Sequence, residues 1–169
     1  MRVIVLFLIL IFVSNSAIAG SRCDDIEIIN VEKEKVILSQ REVDGGFQEL
    51  ILAKQLRNGN EKIARISFSG SKEISCHFSS IALLKGGDWG WHVAWASTAN
   101  RGVFYARVDG EAWVSSLPKR LSRESALMVS LTESKGKLTI SINYSPEQKQ
   151  EKENFVSEDE GRSWDKLTP

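Results

Sequence analysis

Between Lys137 and Tyr144 apolar and polar residues alternate without a break. Leu138, Ile140, Ile142 and Tyr144 fall on one side, and Thr139, Ser141 and Asn143 on the other. A period of two is that of a strand with one buried face; a helix would need 3.6. The same rhythm places Trp91, Val93 and Trp95 opposite His92, Ala94 and Ala96. Turn formers punctuate the runs: Asp44-Gly45-Gly46, Arg57-Asn58-Gly59-Asn60, Lys85-Gly86-Gly87-Asp88, Asp109-Gly110 and Glu133-Ser134-Lys135-Gly136. Gly and Asn supply the backbone angles of tight reversals. No long amphipathic helix is visible. Residues 47–56 fit a strand or a short helix, and residues 122–127 leave room for one helical turn. Trp113 is expected to open a short strand that ends at Pro118-Lys119-Arg120, and residues 146–153 to form a solvated loop. The pattern predicts an all-β chain of antiparallel sheets.

The first residues carry a different signal. Met1-Arg2 precedes an apolar run over residues 3–13, and Ala17-Ile18-Ala19 follows. The run is shorter than the ~20 residues a membrane span needs. It reads as a signal peptide, residues 1–19, cleaved after Ala19. Residues 20–169 are then a single all-β domain, periplasmic or extracellular, with no membrane attachment after cleavage. Cys23 and Cys76 are the two cysteines, and in an exported chain they are expected to form a disulfide. Lys and Arg number 22, as do Asp and Glu. That balance gives no reason to expect nucleic acid or an anionic membrane as partner.

Near the C-terminus stands Ser157-Glu158-Asp159-Glu160-Gly161-Arg162-Ser163-Trp164. Its Ser157, Asp159, Gly161, Ser163 and Trp164 match the Asp box of bacterial neuraminidase repeats, which it resembles at every defined position. The residue types suit a tight turn. A short carboxylate can hold backbone N–H groups, and Gly can take positive φ. An upstream stretch resembles a degenerate copy that keeps Asp109, Gly110 and Trp113, with Asp109 shifted by one position. Trp113 and Trp164 stand about 50 residues apart, a spacing that suits one four-stranded propeller blade. The resemblance covers roughly residues 90–169. It implies a small sandwich or a partial β-propeller of about three blade-like units. Propellers close with at least about four blades, so a ring would require two chains, and a homodimer is one expectation.

Sialidases, to which the box points, use an arginine triad, a tyrosine–glutamate pair and an acidic aspartate. No local motif assigns such roles here, and no catalytic residue is predicted. The two histidines, His77 and His92, have no metal-ligand spacing around them, so no metal is expected. The turns at Asp44 and Lys85 lack phosphate-loop spacing, and no cofactor is expected. The binding candidates are Asp88, Trp89, Trp91 and His92, where aromatics stand beside flexible glycines. The sequence thus points to a non-enzymatic module that binds a protein or glycan outside the cytoplasm, in the manner of an inhibitor or immunity partner. The alternatives are a sialidase-like hydrolase completed by dimerisation and a structural subunit of an envelope assembly.

Overall fold

Short strands joined by tight turns must satisfy their backbone groups by pairing with chain neighbours. They do so in three successive groups of four. The computed structural model describes residues 27–31, 34–68, 78–87, 89–147 and 152–167. The first sheet contains β1 (Glu27–Val31), β2 (Glu34–Val43), β3 (Phe47–Gln55) and β4 (Glu61–Arg65). The second contains β5 (Phe78–Gly86), β6 (Gly90–Ser97), β7 (Gly102–Asp109) and β8 (Lys119–Ser122). The third contains β9 (Ala126–Ser134), β10 (Lys137–Tyr144), β11 (Lys152–Ser157) and β12 (Asp165–Leu167). Every strand pairs antiparallel with its neighbour in sequence, and none of the three sheets closes into a barrel. The protein is all-β, as the alternation predicts, and is built of three successive antiparallel meanders. Their first strands neighbour one another, β1 against β5 and β5 against β9.

Side-chain alternation then sorts the middle sheet's residues between two seams. Trp91, Val93 and Trp95 of β6, with Ala106 and Val108 of β7, pack on Val36, Leu38, Leu50 and Leu52 of the first sheet. Ala94, Ala96, Val103 and Tyr105 face Val129, Ile140, Ile142 and Phe155 of the third. β6 is therefore buried along all of its residues. A strand covered on both faces reads as a near-continuous apolar run, and β6 fits that rule with His92 as its one strongly polar side chain. The outer face of the third sheet is different. Thr139, Ser141 and Asn154 are half-buried there, and Ser141 donates to the Asn154 side chain at 2.7 Å. A polar face of this kind is what the last layer of a stack presents to water.

Of the two readings open for residues 47–56, the strand holds over Phe47–Gln55, with Leu50 and Leu52 facing the first seam and Ile51 and Ala53 buried on the other side. Other local expectations are corrected. Residues 122–125 hold no helical turn; a bend leads directly into β9. Trp113 does not open a strand. Asp109 Oδ1 accepts the N–H groups of Glu111 and Ala112, and Trp113 N–H donates to Asp109 O. The chain keeps turning, Trp113 takes a φ of 58°, and the next strand starts only at Lys119. Its indole drops into the first seam and Nε1 donates to Leu52 O at 3.3 Å. Glu153 is not in a solvated loop. It lies in β11, 7 % exposed, and accepts from Tyr144 Oη and Lys166 Nζ. The proposed bridge between Cys23 and Cys76 falls outside the described residues, as does segment 1–19.

Trp113 fills the open end of the first seam. Replacing it with Ala should cost about 3–5 kcal/mol, the range for a large buried aromatic. Denaturant unfolding of the purified variant, with the midpoint compared to the parent, measures this.

Candidate binding site

The four residues predicted to form one binding face are separated by the strand geometry. Asp88 lies outside the described residues. Trp91 is 4 % exposed and belongs to the first seam, whereas His92 is 2 % exposed and points into the second. Adjacent strand residues face opposite ways, so the expectation that Trp91 and His92 jointly present a ligand surface is corrected. Trp89 is half-buried at the turn before β6.

His92 is the centre of a packed aromatic group. Its Nδ1 is hydrogen-bonded to Tyr105 Oη at 2.5 Å. Trp89 meets the imidazole edge-on at 4.8 Å, and the Arg107 guanidinium lies 4.2 Å from the Trp89 ring centre. Gly86 lets this group close, since a Cβ there would come within 2.8 Å of His92 Nε2. Burial, and then the positive charge of Arg107, lower the His92 pKa to about 4. Burial likewise pushes the Tyr105 hydroxyl upward. Both groups are thus neutral at ordinary pH and shielded from solvent, an arrangement that suits packing.

The turn over residues 157–164 seals this group from the third sheet. Asp159 Oδ1 accepts Ser163 N–H at 2.8 Å and Oδ2 accepts the Ser163 hydroxyl at 2.6 Å. Ser157 Oγ donates to Asp159 and accepts Gly161 N–H. These bonds, led by the Ser163 hydroxyl, hold the Asp159 carboxyl well below the usual carboxylate range. Gly161 takes a φ of 81°, and a Cβ there would lie 1.8 Å from Tyr105 Oη. Trp164 then meets Tyr105 edge-on at 4.8 Å. The Asp109–Trp113 turn does the same work one sheet earlier, with Asp109 bonding its own backbone and Trp113 reaching the sheet before.

The two tyrosine hydroxyls are both committed inside the molecule. Tyr144 Oη donates to Glu153 at 2.6 Å and bonds Ser122 Oγ at 2.7 Å. Burial, and then the hydrogen bond to Glu153, push its pKa up. Both members of this tyrosine–glutamate pair are buried, Tyr144 5 % and Glu153 7 % exposed, so the pair presents no open face to a substrate. Among the described residues no three His, Cys, Asp or Glu gather where a metal could be held.

An open cleft remains at the end of the first seam, beside the turn that the sequence singles out. It has a volume of about 210 Å³ and is lined by Lys54, Lys85, Gly87, Gly90, Trp91, Gly110 and Trp113. Lys85 is the cross-strand partner of Trp91, so it shares the face that looks at the first sheet. Lys54 follows Leu50 and Leu52 along β3 and looks back, its Nζ 5.9 Å from the Trp113 ring centre. Gly90 brings two backbones together, for a Cβ there would meet Val108 O at 1.9 Å. Gly110 N–H donates to Trp89 O at 2.7 Å and locks the turn against the end of β7. Of the described binding candidates Trp91 lines the cleft, and Gly110 and Trp113, predicted as parts of the degenerate box, line it too. The two lysines were missed; the signal available was their register, since each continues an alternating apolar run past its last core residue. Comparisons with family models, curated proteins and solved structures gave no match for this chain.

Two outcomes follow from the buried group. An unfolded histidine charges near pH 6.5, whereas folded His92 resists protonation until about pH 4. Between these values the unfolded chain binds more protons, so stability is complete above pH 6.5 and falls as the pH drops toward 4. The loss should be on the order of 2–3 kcal/mol, read from unfolding midpoints across that window, and its slope should flatten in His92→Gln. Gly161→Ala combines an unfavourable φ with a collision and should destabilise by about 2–3 kcal/mol, measured by denaturant unfolding.

Proposed function

We propose that the chain is a non-enzymatic binding module acting outside the cytoplasm, and that it takes its protein or glycan partner at the cleft between the first and second sheets. The observation that carries this reading is the cleft itself. It is an open, lysine-bearing depression at the end of the first seam, beside strand ends tied together by the Gly110 N–H bond to Trp89 O. Sheet ends held in place around an open depression suit recognition, because little order must be created on binding. The commitments of His92, Tyr105, Tyr144 and Glu153 to internal bonds support a binding role over the hydrolase alternative. The polar outer face of the third sheet weighs against a ring completed by a second copy there. We also read the turns at Asp159 and Asp109 as related Asp-box repeats whose role is architectural, and the first 19 residues as an export signal.

Gly87 offers a clean test. It is exposed, and nothing lies within 4 Å of where its Cβ would be. Gly87→Tyr should therefore fill the cleft mouth while leaving the unfolding midpoint unchanged. Arrays of glycans and of acidic, basic and neutral peptides, probed with parent and variant, should yield ligands that Gly87→Tyr binds about tenfold or more weakly. Ligands held equally by both proteins would place recognition elsewhere.

A further inference from the structure

The first strands β1, β5 and β9 neighbour one another, which leaves β4, β8 and β12 as the outer edges of the three sheets. An edge strand carries N–H and C=O groups with no strand beside them, a template for pairing with another chain. β8 holds Lys119 and Arg120 with no acid, and β12 is three residues long. β4 reads Glu61-Lys62-Ile63-Ala64-Arg65, with both signs of charge around an apolar centre.

The hairpin fixes which groups of β4 look outward. Leu56 N–H donates to Asn60 O, and Ile66 N–H donates to Leu50 O. Bonded and non-bonded positions alternate along an antiparallel pair. Lys62 and Ala64 therefore spend their backbone groups on β3, while Glu61, Ile63 and Arg65 turn theirs away from it. Among the described residues no backbone group bonds Ile63 on that side, and its side chain is 61 % exposed. Arg65 O accepts the Ser115 hydroxyl at 2.6 Å and keeps a second lone pair.

β4 is self-complementary about its midpoint. If two copies pair antiparallel there, Ile63 stands opposite Ile63, Lys62 opposite Ala64 and Glu61 opposite Arg65. Opposite charges directly across a ladder stabilise it, and like charges destabilise it. A slip of two residues one way sets Lys62 against Lys62; a slip the other way leaves Glu61 outside the ladder. Glu61 and Arg65 keep their own partners, Arg41 at 2.9 Å and Glu49 at 2.7 Å. The pairing thus joins two ion pairs of alternating sign on each side of the axis. Val114 and Leu117, the latter 83 % exposed, stand beside the Arg65 end, where Ser115 is bonded. They add apolar area that a five-residue ladder lacks, since stable interfaces bury about 1,200 Å² or more.

We infer that the chain self-associates as a two-fold dimer, β4 against β4 of a second copy, in the register that places Ile63 on the axis. The contact is isologous, each copy using the same surface. It stands whether or not the cleft is the recognition site.

Sedimentation velocity of the purified full chain from about 1 to 100 μM should show monomer giving way to dimer. Ile63→Lys, at an exposed position, should keep the parent's unfolding midpoint and weaken association by about tenfold or more. Residues that exchange both bonds across an antiparallel pair have Cα atoms about 5.5 Å apart, within disulfide reach. Ile63→Cys should therefore form an intermolecular disulfide under mild oxidation, mapped to position 63 of both chains by mass spectrometry. In Lys62→Cys the two thiols lie on a diagonal, with Cα atoms about 7–8 Å apart or more, and crosslinking should fall to the parent's level. A chain that stays monomeric throughout overturns the inference, and capture of a foreign extended peptide by that monomer would assign the edge to a different partner. Association unchanged by Ile63→Lys, or equal crosslinking at positions 62 and 63, overturns it too, because the contact then lies elsewhere.

Discussion

The layers of this molecule are held in register by tryptophans that leave their own sheet. Trp113 departs from the end of β7 and ties its indole N–H to Leu52 in the first sheet. Trp164 departs from the end of β11 and lies against Tyr105 in the second. In each case a short carboxylate holds the turn that launches the indole, and a left-handed backbone position aims it, at Trp113 itself or at Glu160 and Gly161. The hydrophobic effect stabilises the seams but is non-directional. Apolar sheets alone could slide over one another, since many registers bury similar area. A ring reaching one particular carbonyl or one particular phenol removes that freedom. The cleft depends on this, because Trp113 lines it together with Trp91, and Lys54 lies near the Trp113 ring.

Gly161 illustrates how close the approach is. The third sheet reaches the second through a residue with no side chain, so a turn's backbone sits directly on the Tyr105 hydroxyl. That hydroxyl has its other face on His92. Sequence positions 92, 105 and 161 lie in β6, in β7 and in the turn after β11, yet they form one packed column. Such columns transmit strain readily because protein interiors are close-packed. A change at the surface turn is therefore felt at a buried imidazole two strands away.

Much of the fold was legible from the sequence because period-two alternation directly encodes which side of a strand is covered. β10 and β6 are the clearest cases, and the turns at Asn58-Gly59 and Lys135-Gly136 follow from residues that accept positive φ. What alternation cannot encode is which sheet does the covering. Trp91 and His92 look like neighbours in sequence and serve different seams. Tyr144 and Glu153 look like the end of a strand and part of a charged loop, and they meet because β10 and β11 pair. Trp113 was misplaced because a tryptophan after a glycine turn resembles a strand opening; the left-handed φ that redirects it comes from Asp109's bonds to the chain ahead. The lysines of the cleft were illegible for the same reason as the seams. Each has an ordinary local context, and only the stacking of one meander on the next brings them face to face.

The double covering of β6 has a consequence for how the chain is made. In a chain that emerges N-terminus first into the compartment where it folds, the first meander has its own partners in hand, and the second can dock on it as soon as it forms. One side of β6 then stays wet until residues 126–157 have emerged and folded over it. A chain stalled or clipped before that point displays Ala94, Ala96, Val103 and Tyr105 as a bare sheet face, the kind of surface that chaperones hold and that aggregates recruit. Truncation at the C-terminus should for this reason be far more damaging than the small, exposed β12 would suggest, since that short strand arrives together with the tryptophan that closes the lid.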